Sequence, residues 1–164
     1  MAAWHDTLLG PMLIIADENY LYLLEFVERR GLENEIARLR KRYKMGIIPG
    51  ETKITHQIKT ELANYFSGKN LTFKTPTYLL GSKFQKNVWQ ALQAIPPGQT
   101  RSYLDIAKAI KHPKAYRAVA NANGANQLAL IIPCHRVINN NGELGGYGGG
   151  ISRKAWLLQH EKSK

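Results

Sequence analysis

Thr75-Pro76-Thr77-Tyr78-Leu79-Leu80-Gly81 is the stretch that most limits what this chain can become, because an extended run carrying Pro and closed by Gly interrupts the periodic patterns around it. The charge balance changes across it. Residues 1–79 carry 11 Lys and Arg against 9 Asp and Glu, whereas residues 80–164 carry 12 against 3. A domain boundary is therefore expected near residue 80, dividing an N-terminal domain, 1–79, from a C-terminal one, 80–164. A chain of 164 residues has enough material for one sizeable core or two small ones.

The excess of 23 basic over 12 acidic side chains, a net charge of +11, points to a polyanionic partner, and the second half is where it would bind. A basic surface that merely keeps the protein dispersed is the plainer alternative. A hydrophobic content of 44% argues against disorder. Met1-Ala2-Ala3-Trp4-His5-Asp6 lacks the basic-then-apolar order of a secretory signal, and apolar runs such as Leu128 to Pro133 are too short to span a bilayer. A cytoplasmic protein without membrane contact is expected. The single cysteine excludes an internal disulfide and, with five scattered histidines, offers no zinc-type spacing, so neither metal nor cofactor is expected.

In the first half, Met12 to Ala16 and Tyr20 to Phe26, joined by Asp17-Glu18-Asn19, read as two strands of a hairpin or meander. Helices are predicted over 31–44 and about 54–67, the second ending at Gly68. Nothing there suggests chemistry. In the second half, Ser82 can cap a helix carrying Phe84, Val88, Trp89, Leu92 and Ile95 as one apolar stripe, and Pro96-Pro97-Gly98 stops it. Ser102-Tyr103-Leu104-Asp105 has a capping-box pattern and opens a short helix to about Lys111. After the turn at Lys111-His112-Pro113-Lys114 comes a helix of small residues, Ala115 to about Asn123, that includes Ala118, Ala120 and Ala122 and ends at Gly124. A helix this thin can approach something closely.

Helix, turn and helix in the most basic part of the chain resemble helix-turn-helix DNA binding, with Arg117 the one long cation on the thin helix, although purely structural helix pairs look the same. Major-groove readout calls for polar side chains, so the alanines argue for contact by shape. Leu128 to Ile132 reads as a buried connection delivering Pro133 and the lone Cys134, which His135 follows. On that pair alone a small buried hydrophobe is the better reading of the cysteine. The Asn- and Gly-rich run from Val137 to Gly150 is no P-loop, since no Gly-Lys-Ser/Thr closes it. Asn141-Gly142 signals a tight turn, and the glycines either let backbone approach a flat ligand or mark a surface loop. A last helix, Ser152 to about His160, would pack Ala155, Trp156, Leu157 and Leu158 inward and place Glu161 at its end.

Ile132-Pro133-Cys134-His135-Arg136-Val137, together with Arg117, Asn126, Tyr147-Gly148-Gly149-Gly150 and Glu161, closely resembles the O6-methylguanine-DNA methyltransferase family over about residues 84–161. The resemblance implies an α/β fold in which a small ribonuclease H-like N-terminal sheet-and-helix domain precedes a C-terminal helical, winged-helix-like DNA-binding domain. It also implies a suicide repair protein that flips an alkylated guanine out of double-stranded DNA from the minor groove and keeps the O6-alkyl group, with O4-alkylthymine a further substrate. Cys134 matches the nucleophile, and His135 and Glu161 the relay that activates it through a water. Tyr103 matches the tyrosine that assists rotation and protonates the departing guanine. Arg117 matches the arginine that fills the vacated stack, beside a DNA-facing surface of Ala118, Ala120 and Ala122. Asn126 matches a brace of the active-site turn. Pro133, Val137 and the loop Tyr147, Gly148 and Gly149 match the substrate pocket, with Gly148 departing from the serine of many members. A monomer with no obligate protein partner is implied.

The chemistry agrees, because attack on a saturated carbon needs thiolate, and a thiol of pKa about 8.5 has only a few per cent of it at neutral pH. A base is required, and a water between neighbouring side chains is easier to place than direct contact. Two other readings compete: a non-enzymatic lesion-binding or regulatory helix-turn-helix protein, whose non-reactive examples lack the cysteine, and a cysteine hydrolase, which would need an oxyanion site and would turn over repeatedly.

Overall fold

Three strands, not two, open the chain: β1 (Ala2–Thr7), β2 (Gly10–Ala16) and β3 (Leu21–Phe26) form an antiparallel sheet in the order β1-β2-β3. β1 escapes the sequence pattern because it is half-exposed and holds Trp4, His5, Asp6 and Thr7, whereas β2 and β3 are largely buried apolar runs. The protein is seen in a computed structural model that describes residues 1–44 and 46–164. Two helices complete the first unit: α1 (Leu32–Tyr43) and α2 (Lys53–Phe66), the latter packed on β1 and β2. Met12, Ile14, Leu21, Leu23, Leu24, Phe26, Ile58, Leu62 and Tyr65 are fully buried and supply its core. The chain divides into two compact units, Met1–Tyr78 and Leu79–Lys164.

The second unit contains α3 (Lys83–Gln93), β4 (Arg101–Ser102), α4 (Tyr103–Ala109), α5 (Tyr116–Gly124), a single 3-10 turn (Cys134–Arg136), β5 (Val137–Ile138) and α6 (Ile151–Lys162). The caps explain where its helices start. Ser82 accepts from the Gln85 N–H while the Ser82 N–H donates to the Gln85 side chain. Ser102 and Asp105 exchange the same pair of bonds, at 3.0 and 2.9 Å, as the sequence predicted. α3, α4 and α5 pack against one another around Val88, Trp89, Leu92, Ile106, Ala107 and Val119. Trp89 is the pivot, because its ring is buried and its Nε1–H donates to the Ala122 carbonyl at 2.9 Å. In α6, Leu157 and Leu158 are buried, but Ala155 is exposed and Trp156 half-buried against expectation; Trp156 stacks on the His160 ring at 4.6 Å.

One short pairing, absent from the sequence reading, positions the site. β4 and β5 run parallel, with Arg101 opposite Val137 and Ser102 opposite Ile138. This draws the start of α4, where Tyr103 sits, to the exit of the turn that carries Cys134. No described helix is long and apolar enough to cross a membrane.

Gly81 fits against the Trp89 ring so closely that a Cβ there would lie 2.6 Å from it. Because the ring is buried and its Nε1–H is tied to the Ala122 carbonyl, Gly81→Ala should lower the unfolding free energy by about 1–3 kcal/mol, read as a fall in the urea midpoint followed by tryptophan fluorescence.

Candidate active site

The connection from Asn126 to Pro133 is built to hold a sharp turn. Leu130 adopts a left-handed backbone with φ +71°, a conformation that costs a non-glycine residue about 1–3 kcal/mol and persists only where its surroundings enforce it. Here the enforcement is local: the Ile132 N–H donates to the Leu128 carbonyl at 2.9 Å, and Asn126 works from the side. Asn126 Oδ1 accepts from the Leu128 N–H at 2.9 Å, while its Nδ2 donates to the Ile132 carbonyl at 2.8 Å and to Cys134 Sγ at 3.2 Å. Asn123 Nδ2 reaches the Cys134 carbonyl at 3.4 Å. The sulfur thus sits on a braced turn with an amide donor aimed at it.

Behind the sulfur lies a buried charged group. His135 Nε2 is 2.8 Å from Glu161 Oε1, and both side chains are wholly shielded from solvent. Arg136 holds the same carboxylate as a fork, Nε to Oε2 and Nη2 to Oε1 at 2.8 Å each, and its Nη1 donates to the Ile95 carbonyl at 2.6 Å. The Gly98 N–H adds a longer contact to Oε2 at 3.3 Å. A glutamate in the last turn of a helix faces the negative end of the macrodipole, so α6 alone disfavours Glu161 there. Burial also works against its charge, yet the hydrogen bonds from His135 and Arg136, with the positive charge of Arg136, outweigh it and hold the carboxyl well below the usual carboxylate range. His135 moves down from its ordinary value: burial dominates, the Glu161 bond and charge oppose it, and the positive Arg136 and Lys154 reinforce it. The imidazole is therefore neutral at physiological pH, and its Nδ1, buried, has no hydrogen-bond partner among the described residues.

Lys154 is the residue that sequence reasoning passed over. Its ammonium is buried and bridges two backbone segments, donating to the Val137 carbonyl at 2.6 Å and the Gly146 carbonyl at 3.2 Å. Burial lowers it to about 8, and negative charge on Cys134 opposes that shift, so the two groups are electrostatically coupled. Tyr103 is coupled too: burial raises its phenol, and charge on Cys134 raises it further. Of the expected pocket residues, Pro133, Val137 and Gly149 are buried, Tyr147 is half-buried and Gly148 is exposed. The Val137 carbonyl is already engaged by Lys154, and the Cys134 carbonyl by Asn123 and the Val137 N–H, but a carbonyl has two lone pairs and can accept again.

The thin helix needs one correction. Ala118 is exposed and Ala120 half-exposed, but Ala122 is 3% exposed and its carbonyl receives Trp89, so it faces the core and cannot touch DNA. The outward stripe of α5 runs instead through Arg117, Ala118, Asn121 and Gly124.

The geometry now has counterparts among known proteins. Residues 83–163 match the family described as 6-O-methylguanine DNA methyltransferase, DNA binding domain. A Salmonella typhimurium protein named methylated-DNA–protein-cysteine methyltransferase is 40% identical over 157 residues, spanning 94% of this chain and 91% of the relative. The chain belongs to the methylated-DNA–protein-cysteine methyltransferase family. A methylated-DNA–protein-cysteine methyltransferase of Mycobacterium leprae is 38% identical over 96% of this chain and 89% of its own. The crystal structure of Mycobacterium tuberculosis OGT in complex with DNA superposes with a TM-score of 0.84 at 40% identity, covering 98% of this chain and 91% of that one. Among the described residues small sheets combine with six α-helices, a mixed α/β fold that superposes on that structure.

The sequence brought Cys134, His135, Glu161 and Asn126 to notice, and the structure brings Asn126 onto the sulfur and Glu161 onto the imidazole beside it. It missed the roles of Arg136 and Lys154. Nothing local marked Arg136, whose partners Glu161 and Ile95 lie 25 and 41 residues away. Removing one side of a buried pair costs about 3–5 kcal/mol. Arg136→Met should lower stability by about that amount in urea unfolding, and Arg136→Lys, which keeps the charge but loses the fork, should recover only part of it.

Proposed function

We propose that the protein repairs DNA by direct reversal, moving the alkyl group of O6-alkylguanine irreversibly onto Cys134, one group per molecule. The observation that carries this reading is the combination of a cysteine sulfur on a braced turn with a neutral, buried imidazole whose Nε2 is committed to Glu161 and whose Nδ1 has no partner among the described residues. The relatives named as methylated-DNA–protein-cysteine methyltransferases and the Mycobacterium tuberculosis OGT solved with DNA support it.

In the proposed mechanism His135 Nδ1 takes the thiol proton through a water, and Glu161 stabilises the imidazolium that forms. The sulfur attacks the alkyl carbon, a C–S bond forms, and the C–O6 bond breaks with its electron pair leaving on the guanine. Tyr103 donates a proton toward that guanine. No second nucleophile releases the thioether, so the protein is consumed. Asn126 holds the turn, Pro133 and Val137 line the pocket, and Tyr147, Gly148 and Gly149 close over the base; Gly148 contributes only backbone where a serine would add a hydroxyl.

Reaching an alkyl group inside a duplex requires extrusion of the nucleotide, and the thin outward stripe of α5 suits approach from the minor groove, with Arg117 filling the vacated stack. Residues 80–164 are in this reading a winged-helix-like DNA-binding and alkyl-acceptor domain, and residues 1–79 a ribonuclease H-like scaffold. The protein acts as a monomer, without cofactor, in the cytoplasm, where reducing conditions preserve a reactive thiol. O4-alkylthymine is a further substrate.

Intact-protein mass spectrometry after incubation with duplex DNA containing O6-methylguanine should show a single added methyl, localised to Cys134 by peptide mapping and absent in Cys134→Ala. Demethylation continuing beyond one equivalent would contradict the suicide mechanism, and absence of any adduct would favour a lesion-binding protein. Arg117→Ala should slow repair of duplex DNA by about tenfold or more, a barrier change of about 1.4 kcal/mol. The loss on free O6-benzylguanine, which needs no extrusion, should be far smaller in the same single-turnover assay.

A further inference from the structure

The start of α5 carries a ring that neither the fold nor the proposed chemistry uses. Tyr116 is the one aromatic residue of that helix and is 47% exposed. Among the described residues after Leu79, the other large apolar side chain left so open is Ile151. The Arg117 guanidinium lies over the Tyr116 ring, with Cζ 5.8 Å from its centroid, within the range in which a cation is attracted to an aromatic face. Nothing else at this helix start accounts for where Arg117 sits. Ala115 provides no side-chain cap, the first turn contains no acid, and no ion pair involving Arg117 is formed among the described residues. The positive end of the α5 dipole repels a guanidinium at its second residue. The ring is therefore the group that meets it.

We propose that Tyr116 is a positioning residue for nucleotide extrusion, its ring forming a shelf that holds the Arg117 guanidinium at the exposed head of α5 before the side chain enters the DNA. The inference rests on the assignment of Arg117 to the vacated base stack. Arg has one of the larger rotamer entropies to lose when it is fixed in one place. A guanidinium resting over the ring has lost part of that freedom already, and being more weakly hydrated than an ammonium it leaves water with less resistance. The ring is the operative part, because stacking uses its face and not its hydroxyl. Tyr116 acts through Arg117, so its contribution should disappear when the arginine is absent.

A double-mutant cycle on the full chain tests this by single-turnover repair of an O6-methylguanine duplex, with 2-aminopurine fluorescence beside the lesion reporting extrusion. Tyr116→Ala should slow extrusion and repair about three- to tenfold. Tyr116→Phe should stay within about twofold of wild type, and Tyr116→Leu, which keeps bulk but has no aromatic face, should resemble Ala. In an Arg117→Ala background, Tyr116→Ala should have almost no further effect. An undiminished loss in that background, or failure of Phe to rescue, would overturn the proposal. So would an equal loss on free O6-benzylguanine, which would place the defect in the active-site pocket. If Arg117→Ala itself spares duplex repair, it is the base-stack assignment that fails; if no methyl reaches Cys134 in the wild type, it is the repair function.

Discussion

The carboxylate of Glu161 is the interaction on which the second unit turns. Four donors on three residues converge on it: His135 beside the cysteine, Arg136 through two nitrogens, and the Gly98 N–H after α3. Arg136 simultaneously ties the end of α3 through the Ile95 carbonyl. One buried anion thus fixes the last turn of α6, the exit of α3 and the turn that carries the sulfur. Burial makes this arrangement unforgiving, because any partner removed leaves a charge without compensation in a medium that solvates it poorly. The same burial keeps His135 neutral, since the two cations nearby and the loss of water together outweigh the attraction of Glu161. Structural necessity and the chemistry proposed for Cys134 use one set of contacts.

Around that anchor the site is assembled from short, local devices. The parallel pairing of Arg101 with Val137 and Ser102 with Ile138 fixes the start of α4 against the exit of the cysteine turn, and the Ser102–Asp105 capping box sets the direction in which Tyr103 leaves it. Lys154 bridges Val137 to Gly146, so the cation that shares the electrostatic field of Cys134 also pins the glycine-rich loop. Leu130 carries backbone strain directly upstream, offset by the Asn126 bonds. Each device is small, and the turn is defined because they agree.

Much of this was legible in the sequence, for reasons that differ by residue. Ser82 as a cap and Ser102 with Asp105 as a capping box were readable because such signals are complete within four residues, although the Gln85 half of the first box emerged only in the structure. Cys134, His135 and Glu161 were readable from their resemblance to a known family, not from spacing. Arg136 and Lys154 escaped because a buried cation is defined by partners distant in sequence, and a Lys on an amphipathic helix reads as solvated. β1 escaped because its alternation is diluted by His5, Asp6 and Thr7. Ala122 was misplaced because composition reveals that a helix is thin, while only the burial of Val119 and the Trp89 bond reveal which way it faces. The exposed ring of Tyr116 drew no notice until its stacking with Arg117 was visible.

The central claim, that a neutral His135 held by Glu161 serves as the base for Cys134, is tested most directly by the pH dependence of single-turnover alkylation by free O6-benzylguanine, a substrate that removes DNA binding from the measurement. His135 titrates below its ordinary value of 6.5 because burial disfavours its protonated form, so the base is competent throughout the neutral range. The rate should be nearly flat from about pH 6.5 to 8 and fall only on further acidification, and His135→Ala should abolish that plateau. A rate that instead climbs about tenfold per pH unit toward the ordinary thiol value near 8.5 would show that solvent, and not His135, generates the attacking thiolate.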